Sequence, residues 1–245
     1  MERGMLLEIR DLTVEVADRI VLKDIRIAID YGQTHILFGR NGSGKTSLLM
    51  AIMGFSGYKV KSGSIHFKGE DITFLPVHER AKRGIGMSFQ RPPTIRGLKI
   101  RDLIRTFGRD DASVEQVVDA LDFSSFMDRG VNLGFSGGEI KKSELVQLVL
   151  HNPDLVLLDE PESGVDLENI KTIGRGIRKL LQKNLHRQRT KSGLIITHTG
   201  LILNYLEADN GYLLLDGVIR CEGNPREMFE SIQYAGYEEC ARCQR

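Results

Sequence analysis

A short segment early in the chain matches the pattern of a phosphate-binding loop. Gly39–Thr46 is Gly-Arg-Asn-Gly-Ser-Gly-Lys-Thr and fits G-x-x-x-x-G-K-[ST] in full. Its glycines let consecutive N–H groups point at one anion, Lys45 supplies a positive charge for the β- and γ-phosphates, and the Thr46 hydroxyl is placed to ligate Mg²⁺. This predicts a site for a nucleoside triphosphate with Mg²⁺. The residues expected to contact the nucleotide are Gly39, Arg40, Asn41, Gly42, Ser43, Gly44, Lys45, Thr46 and Ser47.

The residues on either side of this loop supply the context that such a site needs. Thr34–Phe38 is typical of a short buried strand, and Ser47–Met53 is typical of a helix. The N-terminus of that helix would face the phosphates. A glycine-rich turn that merely happens to hold a lysine is not expected between two such elements.

A second candidate for the phosphate site is a buried strand that ends in two acidic residues. Leu155–Leu158 is a continuous apolar run, and Asp159 and Glu160 follow it directly. Asp159 could hold Mg²⁺ directly or through water, and Glu160 could polarise a water in line with the γ-phosphate. The structural alternative is a buried strand that ends in an exposed acidic turn.

Two further polar residues follow predicted strands. Gln90 comes after Ile85–Phe89, where it could bridge Mg²⁺ and the attacking water, although an ordinary loop glutamine is the alternative. His198 ends the predicted strand Gly193–Thr197, where it could hydrogen-bond the γ-phosphate and orient Glu160. A lone histidine at a strand end is otherwise usually structural.

The segment Phe135–Glu139 predicts a second anion-binding helix end. Ser136 would cap the helix, and Gly137 and Gly138 would present backbone N–H groups at its positive end, with Glu139 in the first turn. One chain seldom needs two such ends for one phosphate group. We therefore expect this tip to close over nucleotide held by a neighbouring copy, and the alternative is an ordinary helix cap.

The elements that position these residues predict an α/β fold with a P-loop core, an antiparallel β subdomain and an inserted helical subdomain. Alternation over the first thirty residues favours antiparallel strands, and helical periodicity begins near Leu98. No strand pattern returns before Asp154. We expect a single domain over 5–234, with a helical subdomain at about 91–150 and a C-terminal tail at 235–245.

Composition narrows the classes of partner. The 245 residues carry a net charge of +1, which gives no general attraction to nucleic acid. No apolar run approaches the roughly 18–20 residues that cross a bilayer, so we expect no direct membrane insertion. With no signal-peptide pattern at Met1–Met5, the expected location is cytoplasmic.

The five motifs occur in the order found in the ABC ATPase family, and the resemblance covers essentially the whole chain. It implies the ABC ATPase fold and Mg-dependent hydrolysis of ATP to ADP and phosphate by an ATP-dependent, head-to-tail homodimer. Glu160 would be the catalytic base, His198 the switch histidine and Gln90 the Q-loop residue. Metal ligands would be Thr46, Gln90 and Asp159. The signature residues acting across the dimer would be Ser136, Gly137, Gly138 and Glu139.

Within that family the chain resembles the SufC proteins, the soluble ATPases of SUF iron–sulfur cluster assembly. Val131–Glu139, Gly86–Gln90, Ser163–Asp166 and Gly236-Tyr237 carry this resemblance. It implies a SufB/SufD-like scaffold as partner, and the alternative is the nucleotide-binding subunit of an ABC membrane transporter. Where many relatives stack an aromatic residue on adenine, the nearest residue here is Val16, which predicts looser base selection.

Two cysteines near the end of the chain form a C-x-x-C pair, Cys240 and Cys243. A cluster or zinc site needs about four ligands, and Cys221 brings the total only to three. Three interpretations remain open: an incidental pair or a disordered tail, a ligand pair shared with a partner, and a disulfide.

Overall fold

The computed structural model describes residues 4–185 and 189–242. The strands are β1 (Met5–Val16), β2 (Arg19–Asp30), β3 (Thr34–Phe38), β4 (Lys59–Phe67), β5 (Glu70–Asp71), β6 (Ile85–Ser88), β7 (Ile95–Lys99), β8 (Gly130–Val131), β9 (Leu155–Asp159), β10 (Ser192–Ile196), β11 (Asn210–Leu215) and β12 (Val218–Gly223). The helices are α1 (Lys45–Met53), α2 (Val77–Lys82), α3 (Ile100–Arg105), α4 (Asp111–Ala120), α5 (Gly137–His151), α6 (Leu167–Leu180) and α7 (Pro225–Arg242).

The predicted antiparallel strands form a sheet in the order β2-β1-β4-β5. β1 and β2 are joined by a two-residue turn in which Ala17 and Asp18 both have positive φ, as hairpins with right-handed strand twist prefer. Ile25, Ile27 and Ile29 of β2 are buried while the residues between them are exposed, so the alternation in the sequence reports one buried face.

A six-stranded sheet in the order β12-β11-β3-β10-β9-β6 forms the centre of the fold. Its strands from β11 to β6 run parallel, and β12 pairs antiparallel with β11. Parallel strands bring their carboxyl ends to one edge, where α/β proteins bind ligands. The segments that follow β3, β6, β9 and β10 therefore meet at that edge.

The continuous apolar runs of this sheet arise because both faces are covered. In β9, Val156 and Leu158 belong to one hydrophobic cluster, whereas Leu155 and Leu157 belong to the other. Strands buried on both faces lose the alternation of half-exposed strands. The predicted buried strand before Asp159 is thus explained by helices and β structure on opposite sides of the sheet.

The helical subdomain contains a small strand pair that the sequence did not indicate. β7 and β8 pair antiparallel, with Ile95 opposite Val131 and Lys99 opposite Gly130. The expectation that no strand lies between the start of the helical pattern near Leu98 and Asp154 is therefore wrong. β8 is only two residues long, too short for alternation to reveal it.

The last described segment is a helix in place of an irregular tail. α7 is interrupted at Gly236, which has φ 82° and ψ 175°, and continues to Arg242. Cys240 is 2% exposed and packs in a core cluster, so the disordered-tail interpretation does not hold for it. Cys243 lies outside the described residues. Of the helices that the structure describes, none has the length and apolarity needed to span a membrane.

Candidate nucleotide-binding site

The predicted phosphate-binding loop joins β3 to α1. Gly39 has φ 154°, and a Cβ there would lie 2.3 Å from the carbonyl oxygen of Leu214 in β11. Gly44, with φ 103°, ends the loop, and its carbonyl accepts the Leu48 N–H at 2.9 Å. Both positions need glycine, the first for close packing against the sheet and the second for a left-handed turn into the helix.

Lys45 lies folded over this loop. It is 6% exposed, and its Nζ donates to the carbonyl oxygens of Gly39 and Arg40 at 2.8 Å each. Burial lowers the pKa of Lys45 to about 8, so the amine is still mostly protonated at neutral pH. A positive charge is therefore held where the loop would cradle the phosphates.

Thr46 and Asp159 form the part of the site suited to a cation. Thr46 Oγ1 donates to Asp159 Oδ2 at 2.8 Å. Asp159 is 1% exposed, its Oδ1 has no hydrogen-bond partner among the described residues, and burial raises its pKa. A buried acceptor without a donor is costly, and hard oxygen ligands are those that Mg²⁺ prefers. The residues present therefore fit a Mg²⁺ ion.

No group of three or more His, Cys, Asp or Glu side chains that could hold a metal occurs in the part of the chain that the structure describes.

Gln90, Glu160 and His198 meet at the carboxyl edge of the sheet. Gln90 Nε2 donates to Glu160 Oε2 at 2.8 Å, and His198 Nε2 lies 2.5 Å from Glu160 Oε1. Glu160 has φ 49°, and its N–H donates to the Ile196 carbonyl at 3.1 Å. Each carboxylate oxygen is therefore held from a different strand end, so the carboxylate is oriented although it sits at a turn.

These groups line one cleft of about 420 Å³, within the size range of small-molecule sites. The cleft brings together the phosphate loop and the three residues at the strand ends. Val21 of β2 also lines the cleft. Sequence reasoning considered Val16 at the position where many relatives stack an aromatic residue on adenine, and it did not identify Val21. The residues that line it are Val21, Asn41, Gly42, Gly44, Lys45, Thr46, Ser47, Gln90, Glu160 and His198.

The predicted signature segment begins α5 but does not line this cleft. Ser136 Oγ accepts the Glu139 N–H at 3.4 Å, and Glu139 Oε2 accepts the Ser136 N–H at 2.7 Å, which is a capping box. A Cβ on Gly137 would lie 2.3 Å from the Gly164 carbonyl oxygen. Within one copy the segment therefore acts as a helix cap packed on the turn after Glu160. Its contact with nucleotide in a second copy stays a prediction.

Sequence reasoning missed Glu162, which links the two loops beside Glu160. It is 5% exposed, and burial raises its pKa. Its Oε1 accepts hydrogen bonds from Thr197 Oγ1 and from Thr199 Oγ1, the latter at 3.1 Å. These threonines flank His198. The sequence offered only one signal for this link, namely a glutamate two residues after the candidate base together with the distant segment Thr197–Thr199 around His198.

Comparison with known proteins identifies related sequences over almost the full length. Residues 22–163 match the family model described as ABC transporter. The chain is 33% identical over 248 residues to the probable ATP-dependent transporter SufC of Escherichia coli K12, covering 95% of this chain and 97% of that protein. A probable ATP-dependent transporter of Synechocystis is 32% identical over 250 residues, covering 95% and 94%.

Solved structures share the fold. A nucleotide-free ATP-binding cassette from an ABC transporter matches with a TM-score of 0.78 at 24% identity, covering 96% of this chain and 98% of that chain. Another cassette, in its ADP conformation, matches with a TM-score of 0.76 at the same 24% identity and the same coverage. The predicted fold class is confirmed, and the chain belongs to the ABC ATPase family as an ATP-binding subunit.

Proposed function

We propose that the protein hydrolyses ATP by in-line attack of water on the γ-phosphate, with Glu160 as the general base. The observation that carries this proposal is the orientation of both Glu160 oxygens, one by Gln90 and one by His198. A base must be positioned before its basicity matters. Lys45 and the loop amides would neutralise charge on the phosphates as the bond to the leaving group breaks.

The Mg²⁺ that accompanies ATP would be held by Thr46, Asp159 and Gln90. The support is the buried Oδ1 of Asp159, which has no hydrogen-bond partner in the part of the chain that the structure describes and lies beside the Thr46 hydroxyl. When bound, the ion would offset charge on the β- and γ-phosphate oxygens. Asp159 Oδ2 accepts a hydrogen bond from Thr46, so the strand end and the helix after the loop are joined beside the proposed ion site.

The second half of the catalytic site would come from another copy in a head-to-tail homodimer. Ser136, Gly137, Gly138 and Glu139 form a helix N-terminus, which attracts anions. They lie outside the cleft of their own copy, whereas Asn41, Gly42 and Gly44 of the phosphate loop line it. A signature tip from a partner copy would close that opening over the nucleotide.

Replacement of Glu160 by Gln tests the assignment of the base. The amide keeps the size and one acceptor oxygen of the side chain but cannot take a proton, so turnover should fall by about 10²–10⁴-fold. ATP-dependent dimers should accumulate, as measured by size-exclusion chromatography with light scattering. The same substitution at exposed Glu115 in α4 is the control. Undiminished hydrolysis by Glu160→Gln would refute the assignment.

We further propose that the subunit drives conformational change in a SufB/SufD-like scaffold during iron–sulfur cluster assembly in the cytoplasm. The support is the similarity to the SufC protein over nearly the full length of both chains and the SufC-like phrases in the sequence. A groove of about 360 Å³ beside Gln90 offers a docking face. Its apolar lining includes Phe89, Pro92, Pro93, Leu103 and Phe107.

The second candidate is a motor subunit of an ABC membrane transporter. The relatives are described as probable ATP-dependent transporters, which favours this candidate, and the same groove would serve it. The chemistry at Glu160 is common to both candidates, so the partner decides between them.

Affinity capture separates these two functions. The tagged protein and its Leu103→Asp variant, which places a charge in the groove, would be recovered from native extract and their partners identified by mass spectrometry. A soluble SufB- or SufD-like protein that is captured by the unaltered chain and lost by the variant supports cluster assembly. Multi-span membrane proteins with the same dependence would overturn that assignment in favour of transport.

A further inference from the structure

Two side chains of α5 form hydrogen bonds with the backbone of Phe89 and Gln90. Glu144 Oε1 accepts the Phe89 N–H at 2.7 Å. Lys141 Nζ donates to the carbonyl oxygens of Phe89 at 2.5 Å and of Gln90 at 3.3 Å. β6 ends at Ser88, so these bonds begin where the sheet stops holding this segment. We call this pair of residues the Lys141–Glu144 clamp.

The clamp is buried and charged. The side chains of Lys141 and Glu144 are 4% and 8% exposed, and Lys141 Nζ lies 3.6 Å from Glu144 Oε2. Burial raises the pKa of Glu144 to about 7, and the positive charge of Lys141 opposes that rise. Well-packed apolar residues often stabilise a core as well as a buried ion pair does. Packing therefore does not explain the pair, whereas its bonds to residues 89 and 90 do.

The clamp fixes the residue that orients the candidate base. Phe89 is held through both its N–H and its carbonyl. Its ring also packs edge-on against the Phe55 ring, with 5.9 Å between the ring centroids. The next side chain, Gln90, donates to Glu160 at 2.8 Å. Beyond Gln90, the Pro93 carbonyl accepts a hydrogen bond from Asn132 Nδ2 at 2.9 Å. Removal of the clamp would therefore leave the backbone of Phe89 and Gln90, between the end of β6 and that bond, without the hydrogen bonds that hold it.

We propose that Lys141 and Glu144 are positioning residues for hydrolysis, which hold Gln90 against Glu160 through the backbone of residues 89 and 90. This inference rests on the proposed role of Glu160 as base. Because α5 begins at the Ser136 cap, the clamp also ties the signature helix to the residue that orients that base. The clamp residues themselves touch neither the cleft nor the reacting atoms.

Lys141→Met tests the clamp because it keeps the length of the side chain and removes its donor. The rate constant kcat should fall about 10- to 100-fold, the effect of misplacing a catalytic group by about 1 Å. KM for ATP should stay within about twofold of that of the unaltered protein, since Lys45 and the loop are unchanged. Glu144→Gln keeps the acceptor for the Phe89 N–H and should retain most of the rate. Lys171→Met, on an exposed face of α6, is the matched control.

Combination with Gln90→Ala separates positioning from a general loss of structure. If the clamp acts through Gln90, Lys141→Met should slow the Gln90→Ala protein no further, because residues that act as a unit are non-additive. Multiplicative losses in the double variant would overturn the proposal. The double variant Lys141→Met/Glu144→Leu removes both charges, so no unpaired charge is left buried to cause misfolding. It should bind ATP and unfold like the unaltered protein but hydrolyse ATP slowly. A normal rate of hydrolysis would also overturn the proposal.

Failure of the proposed base and failure of the proposed clamp would give different results. Full hydrolysis by Glu160→Gln would remove the proposed base, and with it the reason for holding Gln90. A slow Glu160→Gln and a slow Gln90→Ala, together with an unaltered rate for Lys141→Met, would overturn the clamp alone. A KM raised in Lys141→Met at constant kcat would likewise contradict positioning and indicate a role in substrate binding.

Discussion

At the scale of single residues, the site depends on buried polar groups that are held in place by few partners. Asp159, Glu162 and Glu144 are all less than a tenth exposed, and burial raises the pKa of each. Such groups penalise the folded state whenever they ionise without a strong partner. Their presence near the edge of the sheet where Glu160 lies therefore indicates a role in placing other groups rather than in stability.

The raised pKa of Glu144 predicts a pH-dependent contribution to stability. The carboxyl titrates near 4.5 in the unfolded chain and at about 7 in the folded protein. Between these values the folded state binds more protons, so the unfolding free energy falls as the pH rises. The charged groups that act on Glu144 are Lys141 from its own helix and Asp159 from β9.

Glu144→Gln should remove this contribution, which is at most about 3 kcal/mol. Between pH 4.5 and pH 7, the unfolding free energy of the unaltered protein should therefore fall relative to that of the variant. Urea titration of both proteins at constant ionic strength measures this difference. Carboxyl groups that do not interact with Glu144 titrate alike in both proteins and cancel in the difference. A difference that does not change with pH would contradict the raised pKa.

At the scale of elements, the start of α5 and the turn after β9 form one packed unit. Gly137 contacts Gly164 in that turn, Asp166 caps α6 by accepting the N–H groups of Glu168 and Asn169, and Glu162 accepts hydrogen bonds from the segment that holds His198. The signature end and the segment that contains Glu160 cannot move independently while these contacts hold.

Gly137→Ala should separate these elements. The new methyl carbon would lie 2.3 Å from the Gly164 carbonyl oxygen, a clash with backbone that a rotamer change cannot relieve. Although alanine favours helices, overpacking of this kind costs about 1–3 kcal/mol, so the denaturant midpoint should fall and hydrolysis should slow.

Gly57→Ala is the control for this substitution, because nothing lies within 4 Å of its Cβ position. Its midpoint and rate should match those of the unaltered protein. If Gly137→Ala is as stable and as active as this control, the contact between the signature end and the turn does not constrain the site.

At the scale of the whole molecule, the signature end lies outside the cleft that holds the candidate base. The cleft holds Glu160, and Ser136 lies outside it. If the active unit is a head-to-tail dimer, each site uses Glu160 of one copy and Ser136 of the other. A two-fold dimer then has two such mixed sites.

Mixing two inactive variants should therefore restore hydrolysis. A heterodimer of Glu160→Gln and Ser136→Arg chains contains one site with both defects and one site with neither. Random assortment of equal amounts predicts about a quarter of the unaltered rate, since half of the dimers carry one intact site out of two. The control is each variant at the same total concentration. Activity of the mixture no greater than that of the variants alone would contradict sites shared between copies.

The sequence by itself determined the local pieces of this protein. The phosphate loop, the strand before Asp159 and the helix cap at Ser136 were all predictable, because glycine conformations, apolar periodicity and side-chain caps act within a few residues of chain. The pairing of β7 with β8 was not, since the two residues of β8 are too few to show a period. Residues Glu160, Gln90 and His198 were identified individually, and the family order of motifs implied that they act together.

Only the tertiary structure decided which side chains meet. Gln90 and Glu160 are 70 residues apart, and Phe89 and Glu144 are 55 apart. These contacts exist because β6, β9 and β10 lie side by side in one parallel sheet with α5 packed against it. Strand order depends on how the whole core packs rather than on any local window of sequence. The clamp on Gln90 and the bonds of Glu162 were therefore invisible until the fold brought distant residues together.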